Sequence, residues 1–249
     1  MAVRINLDET SVAYYYGNQK GFIATPRFAG KHWVAPTTTT TKKQQRSAVS
    51  YVALVCDKPE VQILLPQVIL VNKRLLTNAQ MREIGDTLPP NVFIWRRNSG
   101  WSTADTTATI LNLMRKRIRR FSSTLAPILL LDTAPSHTNS VVYNACNRND
   151  IRFLFVPAKM TWLLQPLDVA GFAIFKLRLR QFYRREQIRA RHGQVATVTW
   201  MRLLGTAIRT VMQGQTRSRT FDGCGIAPLQ TGLRHLILKE IGCDEGVSV

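Results

Sequence analysis

The run Ile128–Leu131, four apolar residues that stop on Asp132, constrains this chain more than any other stretch. A strand with apolar side chains on both faces must be covered on both, which a sheet lying between helices provides. Ile151–Val156 repeats the pattern and is closed by Pro157, and the segment between the two, about 138–148, fits a short helix. Strand, helix and strand in this order predict a mixed sheet covered by helices.

The flanking segments extend that reading. Val3–Leu7 alternates and is read as a strand ending in Asp8-Glu9. The polar run Thr37–Thr41, followed by KKQQR, reads as a loop. Ala48–Cys56 and Val61–Val71, broken by Asp57-Lys58-Pro59, read as a hairpin, and Val92–Trp95 is a further short apolar run. Asn98-Ser99-Gly100-Trp101 reads as a turn, and Ser102 stands three before Asp105 as a capping-box start. Ala108, Leu111, Met114, Ile118 and Phe121 then recur at helical spacing, as do Phe172, Phe175, Leu179 and Phe182. Two more amphipathic faces close the chain: Trp200, Leu203, Ala207 and Val211, then Leu229, Leu233, Leu236 and Ile237. The expected fold is α/β, compatible with a ribonuclease-H-like mixed sheet flanked by helices, with extra C-terminal helices, and with several doubly wound folds. Its expected division is a domain over 1–192 and a helical extension over 193–249 packed on it.

Charge narrows the partner. Thirty-four Lys and Arg against 15 Asp and Glu give a formal net charge of +19, which attracts polyanions, nucleic acid foremost. With 45% hydrophobic residues the chain has enough apolar material for a core, so disorder and a small disulfide scaffold are excluded. Cys56, Cys146, Cys224 and Cys243 make no C-x-x-C pair, and His32, His137, His192 and His235 have no metal-finger spacing. The most apolar stretch, residues 61–71, is broken by Pro66 and Gln67, so no membrane span is expected, and the reading is a soluble intracellular chain.

Acidic residues are scarce, so three positions stand out: Asp8 after the first strand, Asp132 after ILLL, and Asp168 in QPLD at the start of a helix. Each alone has an ordinary structural explanation, as a turn residue, a cap, or a charge on a helix dipole. A carboxylate at the end of an apolar strand is nonetheless costly unless it meets a cation or a donor. Three converging on one cleft would repel one another without a hard divalent ion between them.

LLLDTAPSH, followed by PAKMTWLLQPLDVAG, resembles the signature of the DDE superfamily endonucleases, and within it the pogo-type branch of the mariner–pogo transposases. There, a D-N-A-P-S-H element holds the second catalytic carboxylate and P-x-x-T-x-x-x-Q-P-L-D the third; 35 residues lie between Asp132 and Asp168 here. Asp8-Glu9-Thr10 is similar to the family's first element, and Asn98–Trp101 and Phe221–Ile226 to further landmarks. Thr133 replaces the family's Asn, and Gly171 is displaced by one from its place in some members. The resemblance implies a ribonuclease-H-like catalytic domain of a nuclear DNA transposase, working on DNA with two Mg²⁺ or Mn²⁺ ions held by Asp8, Asp132 and Asp168. Glu9 and His137 are expected beside those ligands, and copies of the chain are expected to assemble on transposon ends. Relatives carry helix-turn-helix domains upstream, so the chain is expected to be a fragment or a stand-alone catalytic domain. A relative that binds DNA without cutting it is the alternative.

Two basic clusters complete the expectation: Arg115, Lys116, Arg117, Arg119 and Arg120, and the helix carrying Lys176, Arg180 and Arg184 beside further arginines. With Glu186 the only acid in the second, it reads as a phosphate-tracking face more than as a solvated one. Trp101 and Trp162 are read as core aromatics more readily than as base-stacking groups.

Overall fold

The computed structural model describes residues 1–13, 48–85, 87–190, 195–213 and 218–226. Six strands form one sheet: β1 (Ala2–Ala13), β2 (Ala48–Cys56), β3 (Gln67–Asn72), β4 (Val92–Arg97), β5 (Ala126–Leu131) and β6 (Arg152–Phe155). Their spatial order is β4-β3-β2-β1-β5-β6. β1, β2 and β3 are antiparallel neighbours, while β5 runs parallel to β1, β6 to β5, and β4 to β3. An antiparallel meander with two parallel strands added beside β1 is the ribonuclease-H-like order; β4 extends the opposite edge. The antiparallel β1–β2–β3 pairing excludes an all-parallel doubly wound sheet.

Helices cover both faces. Val3, Ile5 and Leu7 alternate into one core with Ile110, Leu111, Met114 and Ile118 of α3 (Ala104–Phe121) and Val142, Ala145 and Cys146 of α4 (Ser140–Arg148). The other face carries Phe172, Phe175, Leu179 and Tyr183 of α6 (Phe172–Arg189) and Trp200, Met201 and Leu204 of α7 (Thr197–Ile208). Each of the Val, Leu, Ile, Phe and Met side chains among them, fully buried, contributes roughly 1.5–3 kcal/mol. Phe221, on the short α8 (Ser218–Gly223), joins that second core, so residues beyond 192 help to build it. The Leu229–Ile237 stripe, the Thr37–Thr41 loop, His32, His192, His235 and Cys243 lie outside the described residues.

Several boundaries differ from the sequence expectation, each for a physical reason. β1 does not end at Asp8 but continues to Ala13, because β2 offers it a ladder as far as Ala13↔Ala48. The 61–71 run is only half strand: Pro59 opens the short helix α1 (Pro59–Gln62), and the strand begins at Gln67. Gln62 closes that turn, accepting from Cys56 N–H at 2.7 Å and donating to Leu54 O at 3.0 Å. Thr103, not Ser102, caps α3 by accepting from Thr106 N–H. Phe121 is exposed beyond the buried stripe, and Tyr183 is buried where Phe182 is only partly so. β6 is an edge strand with Leu154 exposed, not a fully buried one. Helix α2 (Asn78–Gly85) has no sequence counterpart among the expectations; only Ile84 of it is buried, so its apolar periodicity is weak. α5 (Thr161–Leu164) is a single turn leading to Asp168. Among the described residues no helix is long and apolar enough to cross a membrane.

Candidate active site

Alternation along β1 sends Asp8 to the face opposite Ile5 and Leu7, and it is buried there. β5 stops at Leu131, so Asp132 leaves the sheet on the strand next to β1. Its Oδ1 accepts from Ala134 N–H at 3.1 Å, starting a turn in which His137 N–H donates to Ala134 O at 2.8 Å. That turn returns the His137 ring, buried, to Asp132, where Nδ1 meets Oδ1. Asp168 lies on a π-helical turn, Leu167–Gly171, that leads directly into α6. Pro166 precedes that turn without blocking it, since a proline at a helix start forgoes only an N–H that would lack a partner there.

Asp8 and Asp168 are within hydrogen-bond reach of each other. Burial, then the Asp168 charge, and more weakly Asp132, push the Asp8 carboxyl up to about 8, against a hydrogen bond from Glu9 N–H that lowers it. Burial raises Asp132 too, but the hydrogen bond and charge of His137 and the Ala134 N–H outweigh it and hold that carboxyl below its ordinary value. The three acids therefore form one electrostatic unit of unequal members. Asp8 resists ionising beside Asp168, while Asp132 is held ionised against His137.

A cleft of about 340 Å³ opens here, lined by Asp8, Glu9, Asp132, His137, Trp101 and Ser102 among others. Trp101 reaches it from the β4–α3 turn, which crosses the start of β2 and the end of β3 at Gly100. Trp101 is 70% exposed and Trp162 is 56% exposed, so neither is the core aromatic expected from the sequence.

An all-carboxylate donor set fits a hard divalent ion in kind. Asp8 and Asp168 already lie within hydrogen-bond reach, and the burial and like charge that push the Asp8 carboxyl up are what a cation would relieve. Asp132 is turned to His137, and among the described residues no three His, Cys, Asp or Glu side chains stand close enough to make a three-ligand site.

The basic clusters divide sharply. Arg115 is buried; its Nε donates to Asn149 O and its Nη1 to Leu125 O, both at 2.8 Å. Arg117 donates to Leu64 O and Pro90 O and lies over the Phe93 ring at 5.0 Å. Arg119 pairs with Asp150 at 2.8 Å. The Arg115 and Arg119 contacts lie at the end of β5 opposite Asp132, about 20 Å away along the strand at ~3.3 Å per residue, and those of Arg117 lie just before β3 and β4. The expectation that Arg115 and Arg117 form a phosphate surface is thereby corrected, because backbone carbonyls hold them. Lys116 and Arg120 are exposed on the same turns. On α6, by contrast, Lys176 is close enough for Asp168 and Asp8 to act on its charge, and Arg178, Arg180, Arg184 and Arg185 are exposed.

Asn6 and Gln165 did not stand out in the sequence. Both are fully buried among the acids' supporting segments, and neither side-chain atom of Gln165 finds a hydrogen-bond partner. A polar residue at an inward position two before Asp8 was the available signal for Asn6.

Fold and site define an α/β protein of ribonuclease-H-like architecture with an acidic cleft beside two parallel strands. A family model described as DDE superfamily endonuclease matches residues 48–216, and the chain belongs to that family. The match includes Asp132 and Asp168; Asp8 lies upstream of it. Solved structures similar to this chain include two transposase complexes. One is a Mos1 transposase paired-end complex with left transposon end, at 14% identity and TM-score 0.46, covering 90% of this chain and 56% of that one. The other is a Mos1 mariner paired end complex with Mn, at 14% identity and TM-score 0.49, covering 89% and 51%. The chain thus spans about half the length of these structures. No curated protein matches.

Proposed function

We propose that this chain is the catalytic domain of a pogo-type DNA transposase that cuts and rejoins phosphodiester bonds in the nucleus, acting as assembled copies on transposon ends. The observation that carries the reading is Asp8 within hydrogen-bond reach of Asp168, with Asp132 near enough for its charge to act on Asp8, in a protein of net charge +19. Asp8, Asp132 and Asp168 would hold the Mg²⁺ or Mn²⁺ ions. When bound, such ions would supply Lewis-acid stabilisation of the attacking and leaving oxygens of an in-line displacement at phosphorus. The chain's own part is placement. β1 and β5 fix two carboxylates on adjacent strands, the π-helical turn supplies the third, and His137 orients Asp132. α6 carries Lys176, Arg180 and Arg184 away from the site as a track for the DNA backbone. Trp101, exposed at the cleft, offers a ring on which a base can stack.

DNA binding without cutting is the second reading, favoured by the Asp132–His137 contact, which engages an Asp132 oxygen that an ion would need. One experiment separates them. Wild type should nick supercoiled DNA with Mg²⁺ or Mn²⁺ and not with EDTA. Asp132→Asn should bind DNA as well as wild type yet nick on the order of 10²-fold more slowly or worse, having lost a charge the ions require. A folded wild type that binds DNA and never nicks with either metal establishes the binder.

A further inference from the structure

We infer that Asn6 is a positioning residue that sets the spacing of the three carboxylates, an assignment that rests on the metal-dependent reading above. Asn6 is fully buried in the middle of β1, between Ile5 and Leu7, which bury apolar side chains. An amide costs more to bury than a leucine unless both its ends are bonded, so its partners identify its role. Its Oδ1 accepts from Leu167 N–H at 2.9 Å, and its Nδ2 donates to Leu130 O at 3.2 Å, with a longer contact to Leu7 O at 3.4 Å.

Leu167 directly precedes Asp168, Leu130 stands two before Asp132, and Asn6 itself stands two before Asp8. One rigid, planar amide therefore ties together the three segments that carry the acids. The β1–β5 side of the clamp is reinforced by parallel pairing, in which Asn6 faces Leu130. The Leu167 side is different. Leu167 opens the π-helical turn, where a backbone N–H has no partner within its own helix, and Asn6 supplies the acceptor. Asn6 thus locks the Asp168 turn onto the sheet that holds Asp8 and Asp132. Positioning groups of this kind typically alter metal affinity by about 10–100-fold when removed.

The test compares Asn6→Leu with Gln62→Leu. Gln62 is likewise a buried amide bonded to backbone, but its hydrogen bonds run to Cys56 N–H and Leu54 O of β2 and serve the α1 turn, away from the backbone of the three acid-bearing segments. Mn²⁺ binding is titrated by calorimetry, with thermal melts and DNA affinity measured alongside. Both variants should melt lower than wild type. Only Asn6→Leu should weaken Mn²⁺ binding, by about 10–100-fold, with DNA affinity kept within a few fold. Unchanged Mn²⁺ binding in folded Asn6→Leu, or an equal loss in Gln62→Leu, overturns the inference.

Amide exchange of Leu167 in the wild type supplies a second arm that needs no variant. Protection well beyond that of exposed loop amides supports the clamp; exchange at the exposed rate overturns it, and it decides the matter if Asn6→Leu does not fold. A wild type that binds no Mn²⁺ at all would sink the metal-dependent reading instead, and the clamp then stands or falls on Leu167 exchange.

Discussion

At the scale of single residues, Asp8 makes the sharpest prediction. Burial first, and then Asp168 and Asp132, push its carboxyl up to about 8 from an ordinary 3.8. Between those values the native state holds a proton that the unfolded chain has released, so the native state binds more protons there. Stability of the metal-free protein should fall as pH rises through that window and level off above it. Asp8→Asn, which needs no proton, should lose this decline and melt higher than wild type near pH 8. Thermal melts in EDTA at several pH values between about 5 and 8 check it; parallel pH profiles for the two proteins would count against it.

Arginine at position 115 behaves in the opposite way from what its neighbours in sequence suggest. Removing it in Arg115→Met leaves two backbone carbonyls, Leu125 O and Asn149 O, without their donor. The expected cost is about 1–3 kcal/mol of stability, read by denaturant melts, with DNA affinity almost unchanged.

At the scale of elements, α3 and α6 are both basic helices with a buried stripe, yet the sheet separates their roles. α3 packs on the face with α4, and its basic end lies at the start of β5. α6 packs on the other face and begins at the Asp168 turn. Neutralising Lys176, Arg180 and Arg184 together to Gln should therefore weaken DNA binding and reduce the slope of log affinity against log salt by about 2 to 3. The same treatment of Lys116 and Arg120 should change the slope little. Fluorescence anisotropy over a salt series separates the two outcomes. Helix α6 also shows how far periodicity reaches. The spacing of Phe172, Phe175 and Leu179 marks its buried face correctly, while the π-helical turn before it shifts the phase, an effect invisible in a 3.6-residue pattern.

At the scale of the whole molecule, the net charge of +19 predicts binding dominated by phosphate neutralisation. Affinity for unrelated DNA duplexes should be similar at fixed salt and should drop steeply as salt rises from about 50 to 200 mM. Tight, salt-insensitive binding to one sequence would contradict this. The same measurement on Asp132→Asn should give an equal or slightly stronger affinity, since one charge that repels phosphate has gone.

The sequence by itself determined the strand–helix alternation, the covered sheet and the three acids. Apolar periodicity and an isolated Asp beside an apolar strand are local signals, written in neighbouring residues. Only the tertiary structure decided how those acids are related. The strand order set β1 beside β5, burial set Asp8 apart in its ionisation, and the returning turn set His137 against Asp132. It likewise decided that Arg115 belongs to the core and Lys176 to the site, although both stand in basic runs of the same appearance. Asn6 is the clearest instance. Nothing in RINLDET says that its amide reaches residues 130 and 167, because hydrogen bonding and Coulomb interaction act through distance in space, and separation along the chain does not encode it.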